Sequence, residues 1–214
     1  MHEEKTVSYT SQNTYYTLNK LTEKTTKIWL VCHGIGYLSP YFLEHFKKLD
    51  PERNYIIAPQ APSKYYQDKR YKYIGASWFT RLNTEMETHN VVRYLDEVYN
   101  NEIKECINKI EFIAMGYSQG VSAITRWLAN SKISCDHFII HSGSVPEEFN
   151  ESSFAKMDST KITLLYGIYD PYISEKKIEN QLRYLHSIFK KEINLIPFNG
   201  VHEVHEESLI ALSE

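Results

Sequence analysis

The stretch "IEFIAMGYSQGVSAITRWLANS", residues 110–131, decides the fold. Ile110 to Met115 form an apolar run that reads as a buried strand, and the segment from Gln119 to Ser131 reads as a helix. Between them stands Gly116-Tyr117-Ser118-Gln119-Gly120. The chain has only 8 glycines in 214 residues, so two of them bracketing one serine at a strand-to-helix turn call for a reason. A residue without a side chain on either side lets the chain turn sharply and leaves the serine hydroxyl standing above the strand end. A plain helix-capping serine would also occupy such a place. The flanking glycines and the preceding strand are what point instead to a nucleophile.

The same alternation of short apolar runs and longer helix-period segments extends outward in both directions. Upstream lie "KIWLVCH" with a helix over 40–49, then "YIIAPQ", a polar and aromatic loop, and a helix over about 85–108. Downstream lie "HFIIHSG", "ITLLYG" with a helix over 174–191, and "INLIPF" with a short helix over 205–212. Apolar runs that do not alternate fit strands buried on both faces, and helices between them imply a mostly parallel sheet. The expectation is an α/β fold with helices on both faces of the central sheet. No linker divides residues 1–214, so one domain is expected. The alternating stretches "TVSYTS" and "TYYTLN" predict an antiparallel hairpin at the sheet edge.

A formal net charge of -3 gives no field for attracting nucleic acid. The apolar runs are too short to cross a bilayer as a helix, which takes about 20 residues. The start "MHEEKTVSYTSQ" lacks the cationic and apolar blocks of a secretory signal, so the expected location is the cytoplasm. Cys32, Cys106 and Cys135 are odd in number and lack metal-type spacing, and read as reduced structural thiols. The spacing of "HEVH" at 202–205 departs from the HExxH zinc pattern. No metal and no cofactor is expected.

In a parallel sheet the reactive groups collect at the carboxyl ends of the strands. Those ends carry His33-Gly34, Ser118, Ser142-Gly143, Asp170 and His202. A serine hydroxyl is a weak nucleophile at neutral pH and needs a base beside it, a group to orient that base, and donors for the oxyanion. Ser118, Asp170 and His202 occur in the order Ser, acid, His that suits this arrangement. The backbone N–H of Gln119, after the serine, and that of Ile35, between Gly34 and Gly36, are the candidate oxyanion donors. Tyr65, Tyr66, Tyr71 and Tyr73, with Trp78 and Phe79, could wall an acyl-binding cleft. An exposed hairpin with its tyrosines packed on its own lysines and arginines accounts for the first four equally well. Trp78 also fits the core.

Taken in order, "HGIGY", "APQAP", "SWF", "GYSQG", "SGSVP", "YGIYDP" and "NGVHE" resemble the motifs of the acyl-protein thioesterase, lysophospholipase and carboxylesterase group of small α/β-hydrolases. The likeness runs from about Ile28 to Leu212. It implies a triad of Ser118, Asp170 and His202, and oxyanion donors on Ile35 and Gln119. It also implies a small-molecule ester or thioester substrate. The chain departs from the family pattern at Val121, where a glycine is common, and at Thr80, where an aspartate is common. A monomer or homodimer is expected. A serine peptidase on the same three residues and a non-catalytic ligand-binding module stay as alternatives. Little room for a cap or extra domain weighs against the first, and the intact trio of side chains against the second.

Overall fold

The computed structural model describes residues 1–103 and 110–214. Seven strands form one sheet: β1 (Tyr15–Leu18), β2 (Lys27–Cys32), β3 (Asn54–Pro59), β6 (Glu111–Tyr117), β7 (His137–His141), β8 (Lys161–Gly167) and β9 (Asn194–Phe198). Their spatial order is β1-β3-β2-β6-β7-β8-β9. All neighbours pair in parallel except β1 with β3. The intervening β4 (Ser63–Tyr66) and β5 (Ile74–Ser77) pair with each other as a separate antiparallel hairpin.

Strand residues alternate between two cores. Ile28, Leu30 and Cys32 pack in one apolar cluster with Leu95, Ile124 and Trp127, from helices α2 (Thr84–Glu102) and α3 (Gln119–Asn130). Trp29 and Val31 pack in the other with Phe42, from α1 (Ser39–Phe42), and Leu209, from α5 (Glu206–Ser213). Both faces are therefore covered, as near-continuous apolar strands require. Helix α4 (Glu175–Phe189) adds Leu185 and Ile188 to the first cluster.

The expected antiparallel edge is made by one strand rather than by a hairpin. "TYYTLN" supplies β1, in register from Tyr15 opposite Pro59 to Leu18 opposite Ile56. "TVSYTS" forms no strand. Its Val7 and Tyr9 stay exposed, so the alternation has no apolar surface on which to bury one face. The helix expected over 40–49 is one α-helical turn followed by the 3₁₀ turn Leu43–Phe46. The far end of the helix expected over 85–108 lies outside the described residues, as does Cys106.

Chain order reverses between β2 and β6: β3 lies on one side of β2 and β6 on the other. Such a switch point opens a crevice at the carboxyl ends of the strands. The register pairs Cys32 with Gly116, so the turns that follow these two residues emerge side by side.

Candidate active site

The turn after β6 is tight because its glycines are in contact with backbone. A Cβ on Gly120 would stand 1.9 Å from the Cys32 carbonyl oxygen, and one on Gly116 would stand 2.4 Å from the Val121 nitrogen. Helix α3 can therefore start directly against β2. Val121, one of the two departures from the family pattern, is fully buried with its side chain against Gly143. Ser118 itself takes φ 52° and ψ -119°, a conformation that costs a non-glycine residue about 1–3 kcal/mol. Neighbours hold it there: the Ser118 N–H donates to the His141 carbonyl at 2.9 Å and the Ser118 carbonyl accepts from Val121 at 3.1 Å. Its hydroxyl makes no capping bond to the helix.

His202, on the loop after β9, brings Nε2 to 3.0 Å from Ser118 Oγ, and its Nδ1 lies 2.6 Å from Asp170 Oδ2. The Asp170 side chain is wholly buried and that of His202 is 21% exposed. A buried carboxylate needs hydrogen-bond donors. Asp170 has them in His202 and in the Tyr172 N–H, which donates to Oδ1 at 2.8 Å. The three side chains singled out by their order in the sequence thus form one hydrogen-bonded chain.

Two tyrosines that the sequence did not mark contact His202. The Tyr117 hydroxyl donates to the His202 carbonyl at 3.0 Å, and the Tyr172 ring meets the imidazole edge-on at 4.9 Å. Tyr117 sits beside the motif serine at a strand end, where an aromatic residue reads as core.

The loop 33–36 is fixed by His33, which is fully buried. The Ala61 N–H donates to His33 Nε2 at 3.1 Å, so the ring proton lies on Nδ1, which donates to the Gly34 carbonyl at 2.8 Å. Across a trans peptide the following N–H points the opposite way from the carbonyl. Holding the Gly34 carbonyl therefore also sets the direction of the Ile35 N–H. A Cβ on Gly34 would stand 3.2 Å from Ser118 Cβ, which places this loop against the serine. Gln119 opens α3, and the first N–H groups of a helix have no partner within it.

The other expected site residues are distributed differently. Trp78 is fully buried, with its indole N–H donating to the His33 carbonyl at 2.8 Å, and so lies under the site. Phe79 is buried too, and the guanidinium of Arg126 lies over its ring. Tyr65, Tyr66, Tyr71 and Tyr73 lie in the β4–β5 hairpin segment and stay 41–71% exposed. Tyr66 packs edge-on against Tyr71 and Lys72 lies over the Tyr73 ring. The Tyr65 hydroxyl lies 3.7 Å from where a Cβ on Gly36 would stand, next to the loop 33–36. Cys32 is buried and its thiol is pushed well above its ordinary range by that burial, which keeps it protonated.

The ring nitrogens of His202 meet Asp170 and Ser118, and those of His205 meet Ser208 and Glu207. His205 caps α5 by accepting from Ser208 N–H and stacks on Phe198 at 4.3 Å. Its backbone N–H donates to His141 Nε2 at 3.1 Å, so His141 carries its proton on Nδ1, toward Ser142 Oγ.

These buried rings make the fold acid-sensitive. Burial lowers His33 to about 4 and His141 to about 3, the latter helped by His205, His202 and His45. Burial also lowers His137 to about 4, with Lys161 and Lys27 adding to it. In the unfolded chain each takes a proton near pH 6.5. Below that pH the unfolded state binds more protons than the fold, so stability is complete above about pH 6.5 and declines as pH falls toward 4. At about 1.4 kcal/mol per pH unit for each group, the loss is on the order of 3 kcal/mol per histidine by pH 4. Urea midpoints are expected to hold level from pH 7.5 to about 6.5 and then to fall down to pH 4.5, less steeply in His137→Gln. Midpoints that stay level over that range would contradict the assignment.

Chemistry rather than cavity size locates the site. A depression of about 540 Å³, lined among others by Asn150, Phe154, Ile188 and Lys190, contains none of these groups. Among the described residues no helix is long and apolar enough to cross a membrane.

A mostly parallel sheet with a serine on a strained strand-to-helix elbow defines the class, an α/β-hydrolase. The chain belongs to the phospholipase/carboxylesterase family, whose model matches residues 13–214, and is thereby a hydrolase of carboxylic ester bonds. Its fold is similar to that of acyl-protein thioesterase 2 from Zea mays, at 15% identity and a TM-score of 0.72, covering 94% of this chain and 96% of that one. It is also similar to the Bacillus cereus carboxylesterase, at 18% identity and a TM-score of 0.69, covering 95% of this chain and 92% of that one. At such identities the likeness speaks for the fold alone. No curated protein matches the chain in sequence.

Proposed function

We propose that this hydrolase works through an acyl-enzyme on Ser118, with His202 as base, Asp170 as its orienting acid, and the backbone N–H groups of Ile35 and Gln119 as oxyanion donors. The observation that carries the reading is the unbroken relay from Asp170 Oδ2 through His202 to Ser118 Oγ, at 2.6 and 3.0 Å. His202 Nε2 takes the Ser118 proton as Oγ attacks the substrate carbonyl, and Asp170 stabilises the resulting imidazolium. The tetrahedral oxygen draws on the two N–H groups. The imidazolium then protonates the departing alcohol or thiol. Water, deprotonated by the same imidazole, cleaves the acyl-enzyme and restores the serine.

The substrate class proposed is a small carboxylic ester or thioester. Exposed apolar side chains of Ile35, Ile168, Tyr169, Tyr172 and Val201 belong to the three loops that carry the reacting groups, and suit an acyl chain. Tyr65, beside the oxyanion loop, is the hairpin tyrosine proposed to touch it.

A fluorophosphonate probe is expected to label the chain at one site, mapped by peptide sequencing to Ser118. A panel of esters and thioesters of increasing acyl length, run beside a peptide panel, is expected to give turnover on the first and none on the second. Labelling at another residue, or hydrolysis confined to peptides, would remove this reading.

A further inference from the structure

Both proposed oxyanion donors are tied to the same four residues, Ala76 to Phe79, at and just beyond the end of β5. On one side, the Gly36 N–H donates to the Ala76 carbonyl at 2.8 Å and the Trp78 indole donates to the His33 carbonyl at 2.8 Å, so the loop 33–36 is bound at two points. A Cβ on Gly75 would stand 2.9 Å from Gly36 Cα, which brings the two backbones into contact. On the other side, the Gln119 carboxamide accepts from the Trp78 N–H at 2.9 Å and donates to the Phe79 carbonyl at 2.9 Å. Its amide also lies 3.1 Å from Ser77 Oγ, and that hydroxyl donates to the Phe79 carbonyl at 2.8 Å. The anchor is firm, since Ser77, Trp78 and Phe79 are all buried.

We propose that the Gln119 side chain is a positioning group that sets the distance between the two oxyanion donors by fastening the serine elbow to the same short segment that holds the Ile35 loop. The inference rests on the acyl-enzyme reading above. A carboxamide that accepts from one backbone N–H and donates to a neighbouring backbone carbonyl imitates a strand partner, so it fixes direction as well as distance. The elbow needs such fastening because Ser118 has a conformation that persists only when its surroundings over-determine it. The bonds of this clamp all run between groups of the protein itself. Its loss therefore misplaces the Gln119 N–H relative to the charge that develops in the transition state and leaves substrate binding alone.

The test is Gln119→Met, which keeps length and volume while removing every polar bond of the side chain. On a p-nitrophenyl ester, kcat is expected to fall about tenfold or more, with KM within about twofold. Affinity for an alkyl boronic acid, whose tetrahedral adduct places an oxygen in the hole, is expected to fall in parallel. The melting temperature should move by only a few degrees. If Gln119→Met does not fold, Gln119→Glu keeps the acceptor for Trp78 and loses the donor to Phe79, and the same loss in kcat is expected.

A folded variant with kcat unchanged, or one in which KM alone rises, overturns the inference. So does failure of both variants to fold, because the carboxamide then serves the fold and not the hole. Ser118→Ala measured alongside separates the two levels. Turnover surviving in Ser118→Ala sinks the acyl-enzyme reading, whereas a dead Ser118→Ala beside an unaffected Gln119→Met sinks only the positioning role.

Discussion

Replacing Ser118 with alanine is expected to lower kcat/KM on a p-nitrophenyl ester by about four to six orders of magnitude, the loss seen when a triad nucleophile is removed and only transition-state binding is left. The fold should be nearly untouched. The hydroxyl makes no helix-capping bond, and its partner His202 keeps Asp170 and is 21% exposed, so water replaces the lost contact. Melting temperatures within a few degrees of the wild type are therefore expected by circular dichroism. Ser118→Gly sharpens the test. At φ 52° a glycine relieves about 1–3 kcal/mol of strain and gives back up to about 1 kcal/mol in unfolded-chain entropy. The glycine variant should therefore melt above the alanine variant while being equally inactive. Activity within tenfold of wild type in either variant would remove Ser118 as the nucleophile.

What the sequence disclosed, and what it withheld, follows from how local each feature is. The elbow was legible because its whole cause is local: a buried strand, two glycines that let backbones touch, and a helix, all within residues 110–131. The sheet was legible for the same reason, since each parallel strand is an unbroken apolar run. The closeness of His202, Asp170 and Ser118 was accessible through their order and their places at strand ends, because a parallel sheet gathers such ends at one rim.

Contacts between segments far apart in the chain were hidden. The Tyr117 bond to the His202 carbonyl and the Gln119 clamp on Trp78 and Phe79 join residues 85, 41 and 40 positions apart, and no local period marks them. The N-terminal hairpin was overread because alternation signals a face that wants burial, not that a surface exists to bury it. Among the described residues the only antiparallel partner of β1 is β3, and "TVSYTS" is left in solvent. The stacking of His205 on Phe198 was hidden too, since helix periodicity does not reveal it.

Asp170→Asn is expected to cost about three to four orders of magnitude in kcat, with little change in KM or in melting temperature, and the reason lies in which way the new amide must face. Oδ1 of Asp170 accepts the Tyr172 N–H at 2.8 Å, a bond that an amide oxygen can keep and an amide nitrogen cannot. The asparagine oxygen is thereby assigned to Tyr172, and its NH₂ takes the place of Oδ2, 2.6 Å from His202 Nδ1. Facing a donor, Nδ1 must become the acceptor, so the ring proton moves to Nε2 and points at Ser118 Oγ. The imidazole is then held in the tautomer that cannot accept the serine proton, with the site's shape preserved. Two readouts check this: kcat at neutral pH, and the His202 ring proton by NMR, which should shift from Nδ1 in the wild type to Nε2 in the variant. An Asp170→Asn chain that keeps wild-type kcat would show that the acid does not set the tautomer, and the relay would lose its mechanistic meaning.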